Sequence, residues 1–368
     1  MRYPKPSSSS GTILFIVLLF IVAVTSLVLI SNLRTASDIR FVENEVAKLR
    51  AYASCQSGLQ VAIHRVLTSM KGRSELLSGV RRPFQPRLLL DGSEISVAVI
   101  DLIEQPYYDA IPLSVLEALV DARITLRLQD GAGLLNLLRT PRHLVINYLV
   151  SRGMAQETAL AWMDAVMDWM DPDDFPRRRG AEKDAYRERW PGMPPNRVFL
   201  NREELLLLPG MDGDLFTKIR DHVTVSLLSQ GLNPNTMPRP LFRVFPGLER
   251  EIVDRILVQR TQKEFETPED LTLRSGFNFT AYTRALQFFT SNTLYATISA
   301  PMSDEREFFL RVELERPRMG MGGDRGRGRD PFRGRRRGPG ADQGQKDLLG
   351  ESIYIQNWLE GTREIQDE

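Results

Sequence analysis

The polarity of the chain changes abruptly after its first eleven residues. MRYPKPSSSSG carries charge only at Arg2 and Lys5, and residues 12–31, TILFIVLLFIVAVTSLVLIS, form a run of twenty residues with no charge. A helix of that length spans about 30 Å of hydrocarbon. Thr25 and Ser26 are compatible with it because short hydroxyls bond back to the helix backbone. The next stretch has no early Pro or Gly. Leu33, Ile39, Val42, Val46, Leu49 and Ala53 recur there as an apolar stripe among charged residues. The pattern predicts one helix from residue 13 to about residue 69, oily first and amphipathic afterwards. Ser54, Ser57 and Gly58 leave room for close packing against a sheet, with Cys55 as a small packing residue among them.

Past a polar, proline-bearing connection the periodicity shortens. Residues 95–103, ISVAVIDLI, read as a strand, and residues 123–133 as a second, with Ile124, Leu126 and Leu128 alternating before a turn. Helical patterns follow at 139–153, 154–171, from about Arg202, at 211–222 and at 248–260, spaced too closely for a βαβ array. Strand signals return at 293–300, 307–315 and 351–360, the last predicted to pair with the 307–315 strand. Between those two lies residues 317–346, rich in Arg and Gly, with almost no core-forming side chains and expected to be a solvated insertion. The chain reads as α+β. A leader (1–11) and a membrane helix (12–31) precede a sheet domain in two parts (32–136 and 285–368) around an inserted helical domain (137–284).

Within the helical block, LLLLPGMDGDLFTKIRDHV and LFRVFPGLEREIVDRILVQ form a near-repeat. Pro209-Gly210 aligns with Pro246-Gly247, Phe216 with Val253 and Ile219 with Ile256. Pro-Gly makes a tight turn between helices, as in helix-hairpin-helix units, and Asn233, Asn235 and Thr236 are expected to bond their own neighbouring backbone groups ahead of one turn. Nucleic-acid-binding versions of this hairpin offer backbone amides to phosphates. Here Asp212 and Glu249 stand beside the turns, which argues against nucleic acid.

Composition removes some chemistry. Cys55 is the only cysteine, so an intrachain disulfide is excluded, and His64, His143 and His222 are too dispersed to suggest zinc. With 48 basic and 47 acidic residues the net charge says nothing of a partner. One local cluster stands out. Asp168, Asp171, Asp173 and Asp174 fall within seven residues and repel one another unless a cation or a basic side chain intervenes. Calcium takes six to eight oxygens in flexible geometry, with Glu182 as a distant ligand, while Arg177, Arg178 and Arg179 offer ion pairs instead. Trp169 is placed to anchor the loop. No nucleophile or substrate motif accompanies the acids, which weighs against a metal-dependent extracytoplasmic enzyme.

The amino terminus resembles a type IV prepilin-like leader, in which a dedicated peptidase cuts after the glycine preceding the oily helix. The resemblance sets Gly11 at the cut and Thr12 as the first mature residue. Ile16 stands at the fifth mature position, where most such proteins carry glutamate. That departure is similar to the K-type minor pseudopilins of type II secretion. Further blocks resemble that family in order: Asp130-Gly131 with Leu135-Asn136-Leu137, Asp168-Trp169-Met170-Asp171-Pro172-Asp173-Asp174, Ala181-Glu182, PPNR (194–197), EELLLLPGM (203–211) and NPNTMPRPLFRVFPGL (233–248). The resemblance implies a helical domain inserted in a pilin-like α/β domain, calcium in that domain, and a non-enzymatic place at the tip of a periplasmic pseudopilus. It also implies I-type and J-type minor pseudopilins and other pseudopilins as partners, and a single pass through inner-membrane lipid. The basic flank favours a cytoplasmic N-terminus and a periplasmic remainder. A membrane-anchored DNA-uptake protein and a metal-dependent enzyme are the alternatives from other classes.

Overall fold

A computed structural model describes residues 9–68, 88–103, 112, 114, 115, 119, 121–226, 231–302, 305–315 and 354–364. The Arg/Gly-rich stretch 317–346 lies outside the described residues.

The expected helix is present as α1, Ser9–Thr68, sixty residues without a break. Its two halves differ in what they touch. From Leu14 to Leu49 the large apolar side chains are exposed, Leu33 and Leu49 among them. From Ala51 onward the spacing Ala51, Cys55, Leu59, Ala62, Val66 lines one buried stripe, the i, i+3/i+4 repeat of a helix lying on a surface.

That surface is a five-stranded antiparallel sheet in the order β1-β2-β5-β6-β7. The strands are β1 (Asp91–Ala98), β2 (Arg123–Asp130), β5 (Thr293–Pro301), β6 (Arg306–Glu315) and β7 (Tyr354–Glu364). Alternation aims one face of each strand at α1. Ile124, Leu126 and Leu128 of β2, Leu294, Ala296 and Ile298 of β5, and Phe308, Leu310, Val312 and Leu314 of β6 join the α1 stripe in one core. Contact is close at Gly58, where an added Cβ would stand 2.4 Å from Ile124 Cδ1. Cys55 is enclosed between the carbonyls of Ile298 and Phe308, at 3.8 and 3.7 Å, and burial, with the charge of Glu307, pushes its thiol up to about 12. It is a packing residue. β7 pairs with β6 as expected, Val312 opposite Trp358 and Leu314 opposite Ile355, with a register shift after Glu313.

One expectation fails here. The strand predicted over 95–103 ends at Ala98, and Val99–Leu102 form a short helix, α2. Val99, Ile100 and Leu102 are all buried. Asp101 between them is exposed, but a four-residue run is too short to reveal its period, so the sequence favoured a longer strand.

The chain leaves the sheet after Asp130 and rejoins it at Thr293, on the adjacent strand. Between them lie α3 (Arg142–Ser151), α4 (Gln156–Asp168), α5 (Lys183–Tyr186), α6 (Gly213–Ile219), α7 (Arg250–Gln262) and α8 (Pro268–Ser275), with 3-10 turns joining several of them. Two dipeptide strands, β3 (Leu135–Asn136) and β4 (Val223–Thr224), pair in parallel at the base. A separate core is built from Leu144, Tyr148, Trp162, Trp169, Phe242 and their neighbours.

One buried group ties the two units together. Asp130, fully buried, accepts from the backbone N–H and hydroxyl of Ser291 at 2.8 and 2.7 Å and from the Thr236 hydroxyl at 2.9 Å. Beside it, Gln129 Nε2 donates to the Thr236 carbonyl at 2.9 Å, and Asn233 N–H donates to the Ala132 carbonyl at 2.7 Å. An added Cβ on Gly133 would stand 2.2 Å from that Thr236 carbonyl. Only one part of the local bonding predicted for Asn233, Asn235 and Thr236 occurs, Asn235 N–H to Asn233 Oδ1 at 3.0 Å. Asn235 instead exchanges two bonds with the backbone of Phe265, and Thr236 reaches Asp130. Distant partners captured groups that the sequence allotted to a local turn.

Gly58→Val should destabilise the protein by about 1–3 kcal/mol through overpacking against Ile124 and Ile298. Urea unfolding of the full chain in detergent measures it, and an unchanged midpoint would refute the close helix–sheet contact.

Candidate functional site

The acidic cluster sits where α4 ends. Asp168 is the last residue of α4, and the helix buries Trp162, Met163 and Val166. Pro172 follows within one turn and cannot extend the helix. Trp169 turns inward and is fully buried, stacking on Phe199 at 5.1 Å and meeting Tyr186 edge-on at 6.3 Å. The side chain therefore fixes where the acidic loop departs from the helix.

The four aspartates have different surroundings. Asp168 is buried and accepts from the backbone N–H groups of Arg177 at 3.1 Å and Ala181 at 2.9 Å, with Arg177 Nε at 3.3 Å. Gly180 admits that carboxylate, since a Cβ there would lie 1.8 Å from Asp168 Oδ2. Asp171 Oδ2 meets Arg177 at 2.9 Å, while its Oδ1 is buried without a hydrogen-bond partner among the described residues. Asp174 is exposed and takes Lys183 at 2.7 Å and Asn196 Nδ2 at 3.2 Å. Asp173 Oδ1 accepts from the Phe175 N–H at 2.9 Å, and its carbonyl accepts from Asn196. Of the three arginines, Arg177 pairs with the cluster and Arg179 pairs instead with Glu157, at 3.1 Å. Lys183 and Asn196 were not singled out from the sequence. Asn196 occupies the left-handed region, φ 49°, which Asn tolerates better than most residues, and the PPNR block was its one visible signal.

Glu182 is the outlier. It is 6% exposed, and neither of its carboxylate oxygens has a hydrogen-bond partner among the described residues. Burial first, then the charges of Asp168, Asp171, Asp174 and Asp173, push its carboxyl up to about 7. Burial likewise raises Asp168, against the Arg177 and Ala181 N–H bonds and the Arg177 charge that lower it. Hydrogen bonds from Lys183 and Asn196 lower Asp174. An uncompensated buried carboxylate is costly unless a cation or proton joins it. Oxygen acceptors left over at Glu182 and Asp171 suit a hard cation in donor chemistry. In the geometry present, however, no group of three or more acidic, histidine or cysteine side chains among the described residues is gathered closely enough to hold a metal.

The paired hairpins have the expected geometry. Leu208-Pro209-Gly210-Met211 and Phe245-Pro246-Gly247-Leu248 each close with a 3.3 Å bond from the fourth N–H to the first carbonyl. Gly210 and Gly247 stand at φ 84° and 77°, the left-handed position that a type II turn requires after proline. Phe216, Ile219, Val253 and Ile256 are all buried in the helical core. At the first hairpin Asp212 caps α6, accepting from the Leu215 N–H at 2.7 Å, so the site a phosphate would approach already holds a carboxylate.

At the other end of the protein, α1 is the single helix among the described residues long and apolar enough to cross a membrane, with a mean hydropathy of 3.0 over its most apolar window. Ile16 lies in this segment, 61% exposed, and Gly11 and Thr12 fall within the same helix.

These features define an α+β protein whose long apolar helix continues onto an antiparallel sheet bearing a helical insertion. Residues 135–227 match the family model for type II secretion system protein K. Over that block the chain is similar to the protein K family of type II secretion. A curated relative, type II secretion system protein K of Dickeya chrysanthemi, is 31% identical over 161 residues, 42% of this chain and 44% of the relative. The chain thus matches less than half the length of that relative. Among solved structures, a chain of the GspK-GspI-GspJ complex from enterotoxigenic Escherichia coli covers 78% of this chain and 95% of its own, at 17% identity and a TM-score of 0.48.

Glu182 gives a pH signature. Its folded value of about 7 lies above the ordinary 4.5, so the folded state holds the proton more tightly. The cost of ionising it is complete above about pH 7 and is relieved as pH falls toward 4.5. In chelator, Glu182→Gln should be more stable than wild type at pH 8, and the advantage should shrink toward pH 5. Thermal unfolding across that range reads the difference, and an advantage independent of pH would contradict it.

Proposed function

We propose that this protein is a minor pseudopilin of K type, a structural and non-catalytic subunit at the tip of a type II secretion pseudopilus. The observation that carries the reading is the family match over 135–227, on the same block that the acidic loop and the first hairpin occupy. The physical form supports it. The first half of α1 is apolar and exposed, suited to lipid before export and to neighbouring helices in a filament, while its second half is committed to the sheet. The helical insertion adds bulk against the face of the sheet turned away from α1, which would hinder a further subunit from stacking there. In this reading the N-terminus is cytoplasmic, the folded part is periplasmic, and the helix sits in the inner membrane. Prepilin peptidase cuts between Gly11 and Thr12, and Ile16 replaces the usual acid. The partners are I-type and J-type minor pseudopilins, the kind of assembly named for the solved complex, and then the other pseudopilins of the filament.

The acidic loop is proposed to take calcium. Glu182 and Asp171 supply the free carboxylate oxygens, with Asp173, Asp174 and Asp168 as the surrounding charge. The ion would neutralise that charge and brace the loop. No chemistry is assigned to it.

Mass spectrometry of the protein from cells with and without the peptidase tests the leader. The mature chain should begin at Thr12 only when the peptidase is present, and an uncut chain in competent cells would overturn the assignment. Co-expression with I-type and J-type partners should yield a complex, and repeated failure of the processed chain to associate would oppose the tip role.

Calcium at about 100 times its Kd should stabilise the protein by about 2.7 kcal/mol relative to chelator. Glu182→Gln should remove most of that gain. Equal calcium stabilisation of both proteins, or none in wild type, would count against this site.

A further inference from the structure

The face of the sheet turned away from α1 meets the helical insertion in a cleft of about 200 Å³. Register sets its floor: Thr297 opposite Arg311 and Tyr295 opposite Glu313, with Leu359 beside Arg311 on β7. The insertion contributes Arg202, Glu203 and Arg220 to the wall.

The cations here have unequal partners. Arg202 lies over the Tyr295 ring at 4.2 Å and donates to the Arg220 carbonyl at 2.8 Å. Arg220 reaches Asp221 at 3.3 Å, and Arg127 reaches the same carboxylate at 3.4 Å. Glu313 is satisfied by neutral donors, Tyr295 Oη at 3.3 Å and Asn357 Nδ2 at 2.9 Å. Arg311 Nε is buried with no hydrogen-bond partner among the described residues. Burial, then the charge of Arg220, pushes the Arg311 guanidinium down to about 10, with Arg363 and Arg202 adding to the shift and Asp221 opposing it. A buried guanidinium edge left without an acceptor is costly, and it is a planar donor suited to a carboxylate.

We propose that this cleft is a receptor for a single carboxylate group, presented by an acidic side chain of a second polypeptide or by a small free acid. Three lining arginines against two lining glutamates leave one positive charge, matched by a monoanion. A phosphate dianion would exceed that charge and meet Glu203 and Glu313. The inference stands on the cleft alone and is independent of the filament reading.

Trifluoroacetate is a suitable probe, followed by fluorine NMR with the full chain in detergent micelles at constant ionic strength. Its resonance should broaden saturably, and acetate should reverse the effect at lower concentration than inorganic phosphate. Arg311→Gln should weaken binding at least tenfold, while Glu203→Gln, on an exposed position, should tighten it. A glutamate-containing capped peptide that competes better than acetate assigns the site to a polypeptide side chain, and equal competition assigns it to a small acid. Either result upholds the receptor. Unsaturable broadening, stronger competition by phosphate, or unchanged binding in Glu203→Gln would overturn it, including when Arg311→Gln does not fold.

Discussion

The buried carboxylate of Asp130 is the constraint on which the architecture depends. An insertion of some one hundred and sixty residues separates β2 from β5, yet the two strands pair side by side from Thr125 opposite Ser299 to Asp130 opposite Leu294. The ends of the insertion must therefore be held within one strand spacing. Asp130 does so by bonding Ser291, where the chain returns, and Thr236, in the middle of the insertion. Burial pushes its carboxyl up, and the bonds from Ser291, Ala132 and Thr236 pull it back. Leaving the polar groups of such a buried network unpaired in the interior is costly. Gly133 is required beside it because the Thr236 backbone occupies the place of its Cβ.

That junction lets two different surfaces share one rigid frame. On one side of the sheet, α1 is held by small residues at Ala51, Cys55, Gly58 and Ala62, and its free half projects beyond the sheet. On the other, the insertion rests on the open face and creates the arginine-lined cleft. At a further place in the insertion the acidic loop hangs from Trp169. Its aspartates are mostly paired by Arg177, Lys183 and backbone N–H groups, and Glu182 is left without compensation. The proposed filament role requires geometry held under load, and the buried polar staple at Asp130 supplies it at the junction.

Much of this was legible in the chain because periodicity survives wherever an element has one wet face. The sixty-residue helix, the alternation in β2 and β6, the β6–β7 pairing and the two Pro-Gly hairpins all have such faces. Legibility failed where a run is too short or where partners are remote. Val99, Ile100 and Leu102 are buried around a single exposed residue, Asp101, and four residues are too few to show a period, so strand and helix looked alike. The helix Pro268–Ser275 was missed although Thr267 caps it, Pro268 starts it and Gly276 ends it at φ 83°, a full set of boundary signals around a short, weakly apolar segment. At the acidic loop the aspartates and Glu182 were visible as a cluster. Which carboxylate would lack a partner depends on Lys183 and Asn196 folding back over the loop, and no local pattern encodes that. The bond from Thr236 to Asp130 spans 106 positions and is equally silent.

Amide hydrogen exchange on the full-length Asp130→Ala protein tests the central constraint directly. If one carboxylate clamps the insertion to the sheet, protection should fall sharply at Asn233–Thr236 and at Ser291–Thr293 together, while the α1 stripe from Ala51 to Val66 keeps its protection. Exchange at both junction segments indistinguishable from wild type would contradict the account.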